Sequence, residues 1–204
     1  MKEQSTNEIG LSIDALRSGD RAEFARLVDL YSGLIYRLGL RILGNEQDAE
    51  DVLQETFIKA YRALPGFEAR SQVSTWLYRI ATNEALMLLR RQKPMVDIVL
   101  ENEDEEEDVA PLEIVDWCCL PEEELLSSES RLFMEKAVMK LSAALRLVFL
   151  LRDVEGLSVK ETAEVLGISE AAVKVRLMRA RLAMREELTR YFGPQAGQRK
   201  VQDA

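Results

Sequence analysis

Apolar residues recur at intervals of three and four along most of the chain, which is the spacing of amphipathic helices. Asp20 with Glu23 resembles a capping box that opens the first long helix, and Gly44 and Asn45 end it. Its apolar positions are Phe24, Leu27, Val28, Tyr31, Leu34, Ile35, Leu38 and Ile42. The pattern predicts an all-α fold.

Two more helices are predicted in the first half of the chain. Asn45 can cap one from about Glu46 to Leu64, and Pro65 and Gly66 separate it from another, from about Ser71 to Arg91. The first of these two is expected to turn Ala49, Val52, Leu53, Thr56, Phe57, Ala60 and Tyr61 inward. Its outward polar residues are Asp48, Asp51, Gln54 and Glu55, and acids early in a helix also suit the helix dipole. The other helix carries Trp76, Leu77, Ile80, Ala81 and Leu88.

Residues 158 to 181 have the spacing of a helix-turn-helix. Ala163 is small enough for two helices to approach closely, Gly167 can take the positive φ that ends the first helix, and Val173 can pack the second helix back on the first. The second helix is expected to present candidate DNA contacts on or near its outward side. These are Lys174, Arg176, Met178, Arg179 and Arg181. The alternative is an ordinary helical hairpin with a solvated basic face.

Charge divides the chain into three parts. Residues 1 to 93 have a net charge of 0, residues 94 to 130 carry 14 acids without Lys or Arg, and residues 131 to 204 have a net charge of +5, within a total of −9. We therefore predict two small helical domains, 1–93 and 131–192, joined by an acidic flexible linker, 94–130, with a disordered tail, 193–204. The linker is either a solvated tether or an imitation of nucleic acid for a partner's basic channel, anchored by Ile114, Val115 and Trp117.

Composition argues against catalysis and export. Histidine is absent, and the two cysteines, Cys118 and Cys119, are adjacent, so neither a metal-spaced set nor a disulfide framework can be built. We expect no enzyme activity, no cofactor and no metal. The first residues lack a cationic and apolar secretion signal, and no apolar run is long enough for membrane insertion, so we expect a cytoplasmic protein.

Two motifs together resemble a known family. The stretch DAEDVLQETFIKAYRALPGFEARSQVSTWLYRIATNEALMLLRR, followed later by EGLSVKETAEVLGISEAAVKVRLMRAR, is similar to bacterial RNA polymerase sigma factors of the extracytoplasmic-function (ECF) type, in the sigma-70 superfamily. The resemblance covers roughly residues 20 to 93 and 138 to 188. It implies a non-enzymatic initiation factor that binds core polymerase, recognises double-stranded upstream and single-stranded downstream promoter DNA, and opens the latter. An anti-sigma factor is also implied as a partner.

The resemblance assigns roles to particular residues. Asp48, Asp51, Gln54 and Glu55 correspond to the surface that docks on the clamp helices of the largest polymerase subunit. The downstream element would be bound by the loop from Phe67 to Thr75 and by residues of the following helix. These residues are Phe67, Arg70, Ser71, Thr75, Arg79, Asn83, Arg90 and Arg91, with Lys93 as a further phosphate contact. Without the resemblance, each is a solvated cap or helix end, and Trp76 is a core residue.

Several positions depart from the family pattern. Ala69 stands where glycine is frequent, Met87 replaces an acid, and Ala172 and Val175 replace hydroxyl-bearing residues that often face DNA. Val73 stands where an aromatic is frequent, and Leu141 with Ser142 stands for Leu-Pro. Two alternatives stay open from the sequence: a stand-alone helix-turn-helix regulator and a helical polymerase-binding adaptor. In the favoured interpretation, the second domain binds upstream DNA weakly, and the first domain binds polymerase and the melted strand. Overall binding becomes strong when polymerase joins the two contacts, because the second contact is then intramolecular.

Overall fold

The computed structural model describes residues 10–92 and 128–199, and the side chains of all of these except 128–131 and 191–199. The described residues form helices joined by turns, which confirms the prediction of an all-α fold. The first half contains α1 (Ile13–Arg17), α2 (Arg21–Leu43), α3 (Glu46–Ala63), a 3-10 turn (Leu64–Gly66) and α4 (Val73–Gln92). The second half contains α5 (Ser128–Lys140), α6 (Ala143–Phe149), a π-helical turn (Leu150–Val154), α7 (Val159–Leu166) and α8 (Glu170–Arg199).

Short-range signals set the helix ends of the first half. The Asp20 side chain accepts hydrogen bonds from the Ala22 and Glu23 N–H groups and so caps α2. Glu23 accepts instead from the Ser12 N–H, at 2.6 Å, so it ties α2 to the segment before it. Gly44 ends α2 with a left-handed φ of 71°, and Asn45 caps α3, as predicted.

The core of the first half lies where α2 packs on α3 and α4. Leu27, Ile35, Leu38 and Leu77 are fully buried there. The short helix α1 adds Ile13 and Leu16 to this core, and Leu11 adds to it from just before the helix, although five helical residues are too few for a periodic signal in the sequence. The inward placement of Tyr61 was wrong, because its side chain is 44% exposed. A step of four residues advances about 40° past a full turn, which carries Tyr61 off the buried stripe.

The second half is built around α8, on which α5, α6 and α7 pack. Ser142 accepts a hydrogen bond from the Leu145 N–H and so caps α6. Leu147, Val148, Leu150 and Leu151 are buried between α6 and its neighbours. The backbone of α8 continues to Arg199, past position 193, where the disordered tail was predicted. Extending a helix that already exists needs no new nucleation, which favours continuation.

The two halves pack directly on each other. Helix α7 lies against α4, while α5 and α6 lie against α2, and the buried apolar residues of both halves form one continuous cluster. The predicted linker, apart from residues 128–130 at the start of α5, lies outside the described residues. The sequence predicted two domains joined by a flexible linker and gave no indication of the contact that the structure shows between them.

Buried and partly buried polar contacts also join the halves. The buried guanidinium of Arg146 donates hydrogen bonds to the carbonyl oxygens of Ile42, at 2.6 Å, and of Met139 and Leu141, at 2.6 and 3.0 Å. These carbonyls lie at the carboxyl ends of α2 and α5, where the helix dipoles favour a cation. The Glu155 carboxylate accepts from the Tyr78 hydroxyl at 2.8 Å and from Arg41 Nη1 at 3.2 Å.

Candidate functional site

The helix-turn-helix prediction agrees with the geometry of α7 and α8. Ser158 and Glu161 form a capping box at the start of α7, with the Ser158 N–H 2.8 Å from Glu161 Oε2 and the Glu161 N–H 3.1 Å from Ser158 Oγ. Gly167 ends α7 with a φ of 67°. Ser169 then accepts a hydrogen bond from the Ala172 N–H at 3.1 Å and caps α8. Local chemistry thus fixes the turn that sets the angle of α8.

Several of the predicted upstream-element residues reach the surface of α8. Lys174, Met178 and Arg181 are exposed, and Arg179 is half-buried. Arg181 donates two hydrogen bonds to the carboxylate of Asp153, at 2.7 and 2.8 Å. These hydrogen bonds raise the pKa of Arg181 and hold its guanidinium at the edge of α8.

Arg176 corrects the sequence interpretation. It was placed with the outward residues, but its side chain is only 7% exposed. Val173, Leu177 and Ala180 form the buried stripe of α8, and Arg176 lies three residues after Val173, on the same side. The spacing from Val173 indicated a buried position for Arg176, whereas its cationic side chain suggested an exposed one.

Phe67 also differs from its predicted setting. It is 6% exposed, and its ring lies 4.8 Å from that of Trp76, so it belongs to the core rather than to an open stacking surface. Arg17 Nε donates a hydrogen bond to the Phe67 carbonyl oxygen at 2.5 Å. The aromatic pair fixes the start of the loop that leads to α4.

Residues 68 to 72 of the loop are largely open to solvent. Arg70 is exposed and lies 2.6 Å from the Glu68 carboxylate in an ion pair, and Ser71 is half-buried. Ala69 takes a left-handed φ of 56°, at a position where the family often has glycine. The loop therefore holds a conformation that glycine adopts more readily.

Helix α4 presents an exposed polar row that follows the loop. Arg79, Asn83, Arg90 and Arg91 are all exposed, as a nucleic-acid contact requires. Thr75 is the exception, since it is 4% exposed and donates a hydrogen bond to Glu161 Oε1 of α7 at 3.3 Å. The packing of the two halves therefore covers the predicted contact nearest to the loop.

Three of the four predicted polymerase-binding residues line a groove between α3 and α4. Asp51, Gln54 and Glu55 are exposed along it, while Asp48 is half-buried and accepts a hydrogen bond from Gln92 Nε2 at 2.8 Å. The groove has a volume of about 450 Å³. Its other lining residues are Val52, Lys59, Glu84, Met87, Leu88 and Arg91.

The groove contains residues that the sequence interpretation assigned elsewhere or missed. Arg91 was expected to hold DNA phosphate, yet it lines the same groove as Asp51 and Glu55. Met87 is 43% exposed there. In the sequence it was noted only because the family commonly has an acidic residue at this position. Lys59 and Glu84 form an ion pair of 2.5 Å across the groove. The surface thus combines apolar and charged groups, which suits a protein partner.

Neither a metal centre nor a membrane span was found in the described parts of the chain. Within residues 10–92 and 128–199, the acidic side chains that the structure describes form no cluster able to hold a metal ion. In the same ranges, no helix combines the length and apolar character that crossing a membrane requires. Cys118 and Cys119, and the proposed anchors in the linker, lie outside the described residues.

Comparison with known proteins agrees with this arrangement in both halves. The family described as Sigma-70 region 2 matches residues 27–94, which include α3, the loop and α4. The family described as Sigma-70, region 4 matches residues 134–184, which include the helix-turn-helix. The first match therefore contains the groove and the predicted downstream-element residues, and the second contains the predicted upstream-element residues.

Whole-chain relatives cover nearly the full length. The chain is 38% identical over 176 residues to the ECF RNA polymerase sigma factor SigW of Bacillus subtilis, covering 86% of this chain and 94% of that protein. It is 36% identical over 188 residues to the ECF RNA polymerase sigma-E factor of Escherichia coli, covering 90% and 95%.

Solved structures extend the likeness to the fold. Similar chains are CnrH, in complex with the cytosolic domain of CnrY (27% identity, TM-score 0.60, 86% of this chain and 94% of that chain), and the sigma factor RpoE of Bartonella quintana, in complex with the anti-sigma factor NepR (25%, 0.62, 82% and 97%). Together with the sequence matches, they show that this chain belongs to the ECF family of sigma-70 RNA polymerase sigma factors.

Proposed function

We propose that this sigma factor binds core RNA polymerase through the groove between α3 and α4 and directs it to promoters through α4 and α8. A single chain carries an open groove with acidic residues and, separately, an exposed basic helix on a helix-turn-helix, and this pairing is the observation that supports the proposal. The factor supplies recognition rather than catalysis, and it acts in the cytoplasm with the polymerase.

The polymerase contact rests on charge and shape. Asp51, Gln54 and Glu55 are exposed on one side of the groove, and Met87 adds apolar surface on the other. Acidic groups beside apolar surface fit the basic clamp helices of the largest subunit, where charge sets orientation and association rate. Because the groove is open in the packed arrangement of the two halves, polymerase can engage it first.

The promoter contacts rest on the two DNA-facing rows. Lys174, Arg179 and Arg181 lie where phosphates of the upstream major groove are reached when α8 enters it. Arg79 and Asn83 offer a cation and an amide to the downstream strand, and an amide can both donate to and accept from an extruded base. Arg90 continues this row toward the end of α4.

Reconstituted transcription tests the polymerase contact. The purified chain should make core polymerase start RNA chains at defined positions on promoter fragments. The double variant Asp51→Arg with Glu55→Arg should lose polymerase affinity by about tenfold or more, since it reverses two charges in the groove. Asp29→Arg, which reverses an exposed acid of α2 outside the groove, is the matched control. Initiation without this chain, or equal loss in the control, would contradict the assignment.

Variants of α8 test the upstream contact separately. Lys174→Ala with Arg179→Ala should weaken promoter binding by the polymerase complex and reduce the slope of log affinity against log salt by about 1 for each lost phosphate contact. Polymerase binding should be unchanged. Lys136→Ala, an exposed lysine of α5, provides the control. Sequence-specific DNA binding by the free chain, independent of polymerase, would favour a stand-alone regulator instead.

An inhibitory protein partner is part of the proposal. The relatives CnrH and RpoE were each solved with a bound protein, which for RpoE is the anti-sigma factor NepR. We infer that a protein of this class binds the present chain as well. Adding such a partner to the reconstituted reaction should abolish initiation, and competition with core polymerase should follow from overlap at the groove between α3 and α4.

A further inference from the structure

The outward side of α8 has an apolar centre. Val175 and Met178 are 42% and 44% exposed, an unusual setting for large apolar side chains on a helix expected to meet DNA. Ala171 and Leu182 continue the same row at steps of four residues, with Ala171 exposed and Leu182 half-buried. The apolar row is defined by these four residues, and it lies opposite the buried stripe of Val173, Leu177, Ala180 and Met184.

Cationic side chains flank the apolar row. At about 100° per residue, Lys174 and Arg181 fall on one side of it and Arg179 on the other. The bidentate contact with Asp153 holds Arg181 on its side of the row. Helix α8 therefore presents an apolar strip between two basic margins.

This arrangement matches the cross-section of the DNA major groove. Phosphates line both edges of the groove and favour the basic margins, while the floor exposes base edges to the centre of an inserted helix. The apolar group on that floor is the C5 methyl of thymine, which side chains recognise by contact. Val175 and Met178 carry no group that could donate a strong hydrogen bond to a base edge.

We propose that Val175 and Met178 read the upstream promoter element by contacting thymine methyl groups. The inference rests on the proposed function, in which α8 enters the upstream major groove. It adds a way for α8 to select a DNA sequence. Such a way is needed because Ala172 and Val175 lack the hydroxyl groups that often face DNA in the family.

Replacement of thymine by deoxyuridine tests the proposal directly, because it removes the methyl and keeps the base pair. The complex of core polymerase and this chain is bound to a promoter fragment in which each upstream thymine is replaced in turn. One contacted methyl contributes about fourfold in affinity, so one or more positions should show a loss of that size. Replacement outside the footprint of α8 should have no effect.

Side-chain variants assign the methyl contacts. Each of the variants Val175→Ser and Met178→Gln should lose the difference in affinity between thymine and deoxyuridine DNA at the position that the replaced side chain contacts. Each should keep that difference at positions contacted by the other side chain. Val154→Ser is the matched control, since Val154 is 41% exposed in the same half of the chain but outside α8. It should keep the full sensitivity of the unmodified protein. Because all three side chains are exposed, circular dichroism should show unchanged helix content.

Three outcomes would overturn the inference. Specific promoter binding that is indifferent to every upstream deoxyuridine would exclude reading of methyl groups, although the proposed function would stand. Equal weakening of both DNAs by Val175→Ser and Met178→Gln would show that the side chains contribute without reading thymine. Loss of a protein partner, with DNA binding intact, would make the apolar row a protein interface. Failure of the unmodified chain to direct initiation would instead refute the proposed function.

Discussion

Ala69 holds a strained backbone conformation in the loop before α4. Its φ of 56° lies in the left-handed region, which costs an L-residue with a Cβ about 1–2 kcal/mol. The strain lies beside Arg70 and Ser71, two residues of the proposed downstream contact. The loop therefore keeps its shape because its ends are fixed, by the buried Phe67 on one side and by α4 on the other.

Replacing Ala69 by glycine should stabilise the protein. Relief of the strain exceeds the added flexibility of the unfolded chain, so Ala69→Gly should raise the free energy of unfolding by about 0.5–1 kcal/mol. Urea denaturation measures the change. Ala63→Gly, in the right-handed conformation at the end of α3, should lower the free energy of unfolding by a similar amount. A decrease for both variants would show that the loop does not strain Ala69.

Arg146 holds the ends of two helices together with one side chain. Burial lowers the pKa of its guanidinium, while three carbonyl oxygens at the ends of α2 and α5 accept hydrogen bonds from its Nη1 and Nη2 groups. Arg146→Met keeps much of the apolar volume and leaves these buried carbonyls unpaired. We expect the free energy of unfolding to fall by about 1–3 kcal/mol in urea denaturation. Lys136→Met, at an exposed position of α5, should change it little.

At the scale of elements, α7 depends on its capping box. Hydrogen bonds from the Ser158 hydroxyl and backbone N–H lower the pKa of Glu161, and the Thr75 hydroxyl adds to this effect. A carboxylate whose pKa is lowered in the folded state stabilises the fold at pH values above its pKa in the unfolded chain. The contribution is lost as the pH falls through the folded pKa.

Glu161→Gln should therefore reduce the sensitivity of the fold to acid. The unmodified protein should lose free energy of unfolding as the pH falls through and below about 4.3, the usual value for glutamate, and the variant should lose less. Urea denaturation at a series of pH values measures this difference. Glu164→Gln removes the same charge from an exposed position of α7 and serves as control. Parallel curves for Glu161→Gln and the unmodified protein would contradict the role of the box.

At the scale of the whole molecule, the packed arrangement and the proposed DNA contacts compete. Thr75 can reach a DNA strand only after α7 leaves α4. In the packed form its hydroxyl donates a hydrogen bond to Glu161, and Thr75 is only 4% exposed. Glu155 stabilises the packed form through Tyr78 and Arg41, and burial and the hydrogen bond to Glu155 raise the pKa of the Tyr78 phenol. The outward face of α8 is already open in this form, so separation of α7 from α4 matters for downstream DNA and not for upstream DNA.

Weakening the contact at Glu155 should favour separation. Tyr78→Phe removes a hydrogen bond to a charged group, which contributes about 1.5–3 kcal/mol, so the ratio of separated to packed molecules should rise by about tenfold or more. Energy transfer between one dye on each half measures the ratio. Tyr61→Phe, at an exposed phenol, should leave it unchanged. An equal ratio in both variants would show that Tyr78 does not hold the halves together.

Local signals in the sequence were sufficient to place the start of α2, α3 and α7 and the end of α2 and α7. Asp20, Asn45, Ser158 and the glycines at 44 and 167 act on backbone groups within four residues, so their effect is written in the local order of residues. The all-α fold and the helix-turn-helix follow from the same short-range signals. The two motifs of the ECF family were also evident from residue types and spacing.

Which surfaces stay open depends on tertiary packing, which local patterns do not specify. Arg176 and Phe67 carry residue types suited to DNA, but the packing of α8 and of the loop buries them. The contacts of Glu155 with Arg41 and of Glu161 with Thr75 join residues 114 and 86 positions apart. No local pattern specifies such pairs, because they depend on how two separately encoded helical units meet.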